Sequence, residues 1–323
     1  MRRAATRGAT ASILVGLLIS LWGGAAGASQ HVWTRLSPVS TGGARAGHVM
    51  AFDPVSGFVV MFGGYDANGY RGDTELWDGT TWVERIPDDG PTPRAAPGMA
   101  YDRVTRQLVL FGGFDGTVHL GDTWTYDGST LTWTHRTTAT MPPGVSGPML
   151  FTDPLTGYVD MFGGFDGALF QLDTWQWTGT DWRKLHPATS ATARGAAIAE
   201  LDRATHTVVM FSGLGDVNTY DTWTWDGATW TRRSPAHQPP ARFYSSSAYD
   251  PDLRGVIVFG GASGFGDLAD TWAWTGTDWR QLRVGRPPAK RESQAMAYDP
   301  ATRNILMFGG QVRGAVADDT WSL

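Results

Sequence analysis

Cysteine is absent from all 323 residues. That excludes disulfides, Cys-ligated metals, thiol nucleophiles and lipid attachment through sulfur. Lysine is nearly absent: Lys184 and Lys290 are the only two, and arginine carries the remaining positive charge. We read this as genome composition, not function. The seven histidines (His31, His48, His119, His135, His186, His206 and His237) include no pair at i, i+2 or i+4. A metal centre therefore lacks ligand spacing, and neither metal nor cofactor is expected. No apolar run reaches the ~20 residues needed to cross a bilayer. The stretch Ala11–Trp22 has 12 residues.

That stretch belongs to a leader. Arg2, Arg3 and Arg7 precede it, and Ala26-Gly27-Ala28 closes it. A basic start, a short apolar core and an A-x-A exit read as a secretory signal peptide over 1–28, cleaved after Ala28. The expected mature chain, 29–323, is secreted or otherwise extracytoplasmic, with no membrane insertion after cleavage. Without the three leader arginines it has 23 basic and 31 acidic side chains, a net of −8. This argues against nucleic acid and anionic membrane as partners, because both are bound through basic patches.

The remainder is repetitive. Trp33, Trp82, Trp133, Trp182, Trp230 and Trp279 recur at spacings of 49, 51, 49, 48 and 49. Each is followed after 20 residues by an aspartate: Asp53, Asp102, Asp153, Asp202, Asp250 or Asp299. A glycine follows 11 residues later (Gly64, Gly113, Gly164, Gly213, Gly261, Gly310), then an Asp-Thr pair beginning at Asp73, Asp122, Asp173, Asp221, Asp270 or Asp319. Each unit reads as four short strands, A to D, rich in Val, Thr, Trp and Phe, with turn residues between them. Strand A ends on the first aspartate, B precedes the glycines, C starts at Asp-Thr, and D starts at the marker Trp.

Four strands at a period near 50 residues predict an all-β, six-bladed β-propeller of four-stranded antiparallel blades. The Phe-Gly-Gly after strand B, the aromatic in strand C and the marker Trp resemble the kelch motif, found also in the galactose oxidase central domain. The resemblance spans Trp33 to Leu323. It departs at Ser212, which replaces the first glycine of one unit, and at Glu75, which replaces a strand C Trp. Galactose oxidase itself uses copper and a Tyr–Cys cross-link, so its activity is excluded by the missing cysteine. The chain begins with a lone strand D and ends with a strand C. Residues 31–36 are expected to pair with 318–323, closing the ring and hiding two edges.

Residues that recur in every unit are expected to be scaffold. The marker Trp, and Trp124, Trp175, Trp223, Trp272 and Trp321, are assigned to the inter-sheet core. The Gly-rich Phe-Gly-Gly segment opens no helix and carries no Lys, so it is not a phosphate loop. Arg45, Arg94, Arg194, Arg242 and Arg291 recur at the entrance to strand A. They suit bidentate pairing with the Asp-Thr aspartates. The functional reading of the same series is an arginine-lined mouth for a carboxylate.

Function is expected where units differ. The B–C and D–A loops share one face, and the B–C loops vary. Candidate ligand-binding residues there are Tyr65, Asp66, Arg71, Phe114, Asp115, His119, Phe165, Asp166, Phe170, Asn218, Tyr220 and Arg313. His48, Tyr244 and Glu292 are expected to line the channel mouth together with the arginines. The leading expectation is a monomeric binding module for an extracellular protein or a glycan. The resemblance also implies an alternative, since six-bladed kelch propellers include sialic-acid epimerases: a carbohydrate-modifying enzyme at the central channel. No Ser-His-Asp constellation is visible, and Ser245-Ser246-Ser247 reads as a polar patch on strand A.

Overall fold

Six times the chain runs along a strand, turns on an aspartate and returns. The carboxylate of Asp53 accepts from the backbone N–H groups of Val55 and Ser56, at 3.2 and 2.9 Å. Asp102, Asp153, Asp202, Asp250 and Asp299 cap the same turn in their own units. Such a cap mimics a backbone turn and fixes where the strand ends. In this computed structural model, which describes residues 31–85, 89–216 and 219–323, the result is a six-bladed propeller. The expected leader and Asn218 lie outside the described residues.

Every blade is a four-stranded antiparallel sheet in the order A-B-C-D. In blade 1 these are Val49–Asp53, Phe58–Phe62, Thr74–Trp77 and Trp82–Arg85. Blades 2 to 5 start at Gly98, Met149, Ile198 and Ser246. Blade 6 takes Ala295–Asp299, Asn304–Phe308 and Thr320–Ser322 from the C-terminal end and Thr34–Arg35 from the N-terminal end. Thr34 pairs with Ser322 and Arg35 with Trp321, so the ring closes as expected. The A strands of successive blades touch one another around the axis and form the channel wall.

Two repeated hydrogen bonds tie each blade to its neighbour. The marker Trp of one blade donates its indole N–H to the strand C threonine of the preceding blade. All six are present, at 2.8–3.1 Å, including Trp33 to Thr271 and Trp82 to Thr320 across the closure. The second glycine of each Phe-Gly-Gly donates to the residue at the head of the next strand A, as in Gly64 N–H to Arg94 O at 2.8 Å. The first glycine leaves room for the same carbonyl: a Cβ on Gly163 would stand 2.2 Å from Arg194 O. Ser212 keeps the left-handed backbone, at φ 60°. Its hydroxyl accepts from Arg242 N–H at 2.8 Å, which explains how one unit departs from the pattern.

The marker Trp are buried, each facing a buried strand C aromatic in five blades, as in Trp77–Trp82 at 5.3 Å. Each indole contributes up to about 5 kcal/mol by burial. The other tryptophan series meets the expectation of core placement in part. Trp175 is buried, whereas Trp124, Trp223, Trp272 and Trp321 are half-exposed and donate to their Asp-Thr aspartates at 2.7 Å. They pack against the margins of the core clusters and clamp a charge there.

Candidate functional site

On the face carrying the B–C and D–A loops, the channel opens through a closed ring of main-chain bonds. One residue per blade contributes: Gly47, Ala96, Gly147, Ala196, Tyr244 and Ser293. Each N–H donates to the carbonyl of its counterpart in the preceding blade at 2.7–3.0 Å, and Gly47 donates to Ser293 O. All six have left-handed backbones, with φ between 51° and 67°.

Five arginines stand two residues before a member of this ring. They are fully buried and committed. Arg94 grips both oxygens of Asp122 at 2.6 and 2.8 Å and also donates to Gly112 O. Arg45 and Asp73, Arg242 and Asp270, and Arg291 and Asp319 repeat the fork, and Arg194 meets Asp221 at 2.8 Å. This corrects the reading of Arg45, Arg94, Arg194, Arg242 and Arg291 as a ligand-binding series. A buried guanidinium must be neutralised where it sits, and these five have no face left for a ligand. Blade 3 has Val145 instead, and its Asp173 pairs with Lys184 from strand D at 2.8 Å.

The mouth encloses a cavity of about 660 Å³, within the range of small-ligand sites. Its two sides differ. Blades 5, 6 and 1 supply Tyr244, Ser245, Ser246, Ser247, Glu292, Gln294, His48 and Tyr65. Blades 2 to 4 supply Ala95, Ala96, Pro97, Pro148, Ala196 and Ala197 at the equivalent levels, with His119, Ser146 and Glu200 as their polar members. Across blades 1 to 3 the rim carries a continuous aromatic arc. Centroids step from Tyr65 to Tyr70 at 6.4 Å, to Phe114 at 6.0 Å, to His119 at 4.9 Å, to Phe165 at 5.5 Å and to Phe170 at 5.0 Å. The arc forms because each B–C loop folds back on itself. Tyr65–Asp66 pairs with Gly69–Tyr70, and bridges join Phe114 to His119 and Phe165 to Phe170.

Of the expected residues, His48, Tyr65, Asp66, Phe114, His119, Tyr244 and Glu292 line the cavity. Phe165 and Phe170 continue the arc outside it. Asp115 and Asp166 cap their own loops through backbone N–H groups and stand outside the cavity lining. Arg71 is held between Asp66 and Asp73. Tyr220 is exposed and apart from the mouth, and Arg313 lines a separate groove with Phe265, Asp267 and Lys290.

Sequence reasoning missed Tyr70, Gln294 and Glu200. A signal existed for the last two: Glu200 breaks its repeat position, and Gln294 falls at a position that changes from blade to blade. Glu200 stands where other blades have Ala51, Ala100, Phe151, Ala248 and Ala297. Gln294 aligns with His48, Pro97, Pro148, Ala197 and Ser245. Its amide donates to Phe259 O at 2.8 Å, bridging two blades. Glu200 lines the cavity floor and also the smaller cavity beneath it, so it sits where the two halves of the channel meet.

The cavity is acidic and uncharged by turns. Burial pushes Glu200 up to about 7, partly opposed by Arg203. Glu292 is raised by burial and by Asp267, and Tyr65 and Tyr244 are raised by burial and by Glu292. Burial holds His48 well below its ordinary value, so its imidazole is neutral. No Lys or Arg is among the described lining residues. Elsewhere, single oxygens of Asp73, Glu75 and Glu84 lie within 4.8 Å of one another. Both Asp73 oxygens already accept from Arg45 and Arg71, so that cluster is an ion-pair network and not an open cation site.

No family model matches the chain, and no curated protein matches it.

Proposed function

We propose that this chain is an exported kelch-type propeller that binds a neutral glycan at the mouth of its channel. The aromatic arc from Tyr65 to Phe170 carries this reading. Aromatic faces stack on the apolar faces of sugar rings, while the hydroxyls of Tyr244 and the serines and the carboxyl of Glu292 offer donors and acceptors on the other wall. The lack of a lining cation argues against an anionic ligand, since carboxylates and sulfates are held by Arg or Lys. The kelch assignment rests on the Phe-Gly-Gly and marker Trp pattern, and export on the leader over 1–28.

The test is titration calorimetry of the purified protein against maltohexaose, cellohexaose, chitohexaose and mannohexaose, with oligogalacturonate and sialyllactose as anionic controls. A neutral hexaose is expected to bind, and Phe114→Ala and Tyr70→Ala each to weaken it about tenfold, the loss of about 1.4 kcal/mol of stacking. Binding of the anionic controls alone would reverse the assignment.

One observation favours a second reading, a carbohydrate-modifying enzyme. Glu292, raised above the ordinary carboxyl range beside Tyr244 and Tyr65, could exchange a proton with a bound sugar. The arginines that would have anchored a sialic-acid carboxylate are consumed in ion pairs, so the substrate of such an enzyme is neutral too. Conversion of the bound hexaose, abolished by Glu292→Gln, separates this reading from binding alone.

A further inference from the structure

The six residues of the mouth ring have one backbone conformation but not one side chain. Five are small: Gly47, Ala96, Gly147, Ala196 and Ser293. The sixth is Tyr244, at φ 52°. Left-handed backbone costs every residue other than glycine, and within the ring Tyr244 is the one bulky side chain that carries it. The ring of inter-blade bonds dictates that backbone: Tyr244 N–H donates to Ala196 O at 3.0 Å, and Tyr244 O accepts from Ser293 N–H at 2.8 Å. The ring does not dictate the tyrosine. Four other blades close the same bond with Gly or Ala.

The side chain is not explained by packing. Tyr244 is 39% exposed, lines the mouth cavity and meets Phe243 edge-on at 5.5 Å. Among the described residues its hydroxyl bonds to no protein group. It stands on blade 5, across the cavity from the aromatic arc of blades 1 to 3, and beside Glu292 of blade 6. Strain that packing does not require is retained at sites where a ligand uses the strained group.

We propose that Tyr244 is the specificity-determining residue of the mouth: a sugar ring held on the arc is met from the opposite wall by the Tyr244 ring and hydroxyl. This rests on the glycan reading above. It makes Tyr244 a contact that selects among neutral sugars by the shape left between the two walls.

The experiment compares Tyr244→Gly and Tyr244→Ala with the unsubstituted protein against the same four neutral hexaoses, alongside thermal melts. Gly and Ala already occupy this ring position in other blades, so both variants keep the fold. Tyr244→Gly is expected to melt at or above the unsubstituted protein, because glycine adopts this backbone freely. Both variants are expected to lose tenfold or more in affinity for the preferred hexaose, or to change which hexaose is preferred. A purely structural tyrosine would lower the melting temperature and leave affinity and preference alone. Unchanged affinity and preference in both variants, with Phe114→Ala still weakening the hexaose, would overturn the role of Tyr244 and leave the glycan reading standing. If no hexaose binds the unsubstituted protein, the glycan reading falls and takes the role of Tyr244 with it.

Discussion

Replacing Glu75 by glutamine is expected to stabilise this protein at pH 8 and to leave it unchanged at pH 4. Glu75 sits where the other five blades place a Trp, and its strand D partner is Glu84, a like charge directly opposite. It is 4% exposed, and its Oε2 has no hydrogen-bond partner. Burial, with help from Asp73 and Glu84, raises its carboxyl from 4.5 to about 7, against the pull of Arg45, whose guanidinium is 3.6 Å away, and of Arg71. The folded pKa lies above the unfolded one, so the proton is bound more tightly in the native state. The stability contributed by that proton is complete below pH 4.5 and is lost as pH rises to about 7. Moving a carboxyl over that interval costs about 3 kcal/mol, fully felt above pH 7. Glutamine has the same shape and cannot ionise, so Glu75→Gln recovers that cost, about 5 °C in melting temperature for a domain of this size. Paired melts of both proteins at pH 4 and pH 8 read the effect as a difference of differences, in which the other carboxyls cancel. An equal gap between the two proteins at both pH values would refute the reasoning.

Two further expectations concern the scaffold. Trp33→Phe removes the indole bond to Thr271 across the closure and leaves that buried hydroxyl short of a donor, at a cost of about 1–2 kcal/mol; deleting residues 31–36 removes the whole strand and is expected to open the ring, read as a lowered melting temperature and as aggregation in size-exclusion chromatography, so a deletion with an unchanged melting temperature would contradict shared-strand closure. Arg94→Val strands Asp122 at the blade edge, with Trp124 as its one remaining side-chain donor, and is expected to cost about 3 kcal/mol; adding His135→Lys, which copies the Val145, Asp173 and Lys184 arrangement of blade 3, is expected to restore part of it in denaturant melts, and no recovery would mean that the lysine of blade 3 does not substitute for the arginine fork.

Much of the frame was legible because a repeated residue performs a repeated task. The marker Trp, the turn aspartates and the paired glycines each turned out to hold the same bond in each blade, and the split sixth blade followed from counting strands at the two ends. Three things were hidden. The inward or outward placement of the arginines is invisible in a spacing, because an arginine that binds a carboxylate ligand and one that binds Asp122 recur alike. Four of the first strand C Trp lie at the margin of the core and not within it, because alternation gives the face of a strand and not the depth of its end. Glu200 and Gln294 were passed over because attention to the repeat favours what is common, whereas a site is built from what one blade does and its neighbours do not.

That contrast has a physical origin in how the two ends of the propeller close. At the turn face each strand A is terminated by an aspartate side chain, so changing the residue breaks the turn, and all six units keep it. At the mouth the blades are joined by main-chain N–H and C=O groups, which every residue but proline supplies. The ring asks its members only to tolerate a left-handed backbone. Side chains at that level are therefore free to differ without loosening the closure: glycine in blade 1, alanine in blade 2, tyrosine in blade 5. The freedom extends one step down strand A, where His48, Pro97, Pro148, Ala197, Ser245 and Gln294 share one position. The polar members fall on three adjacent blades, 5, 6 and 1, and the apolar ones on the other three. A ring closed by backbone thus permits a cavity with one wall richer in hydroxyls and one richer in apolar side chains, which six identical blades could not provide.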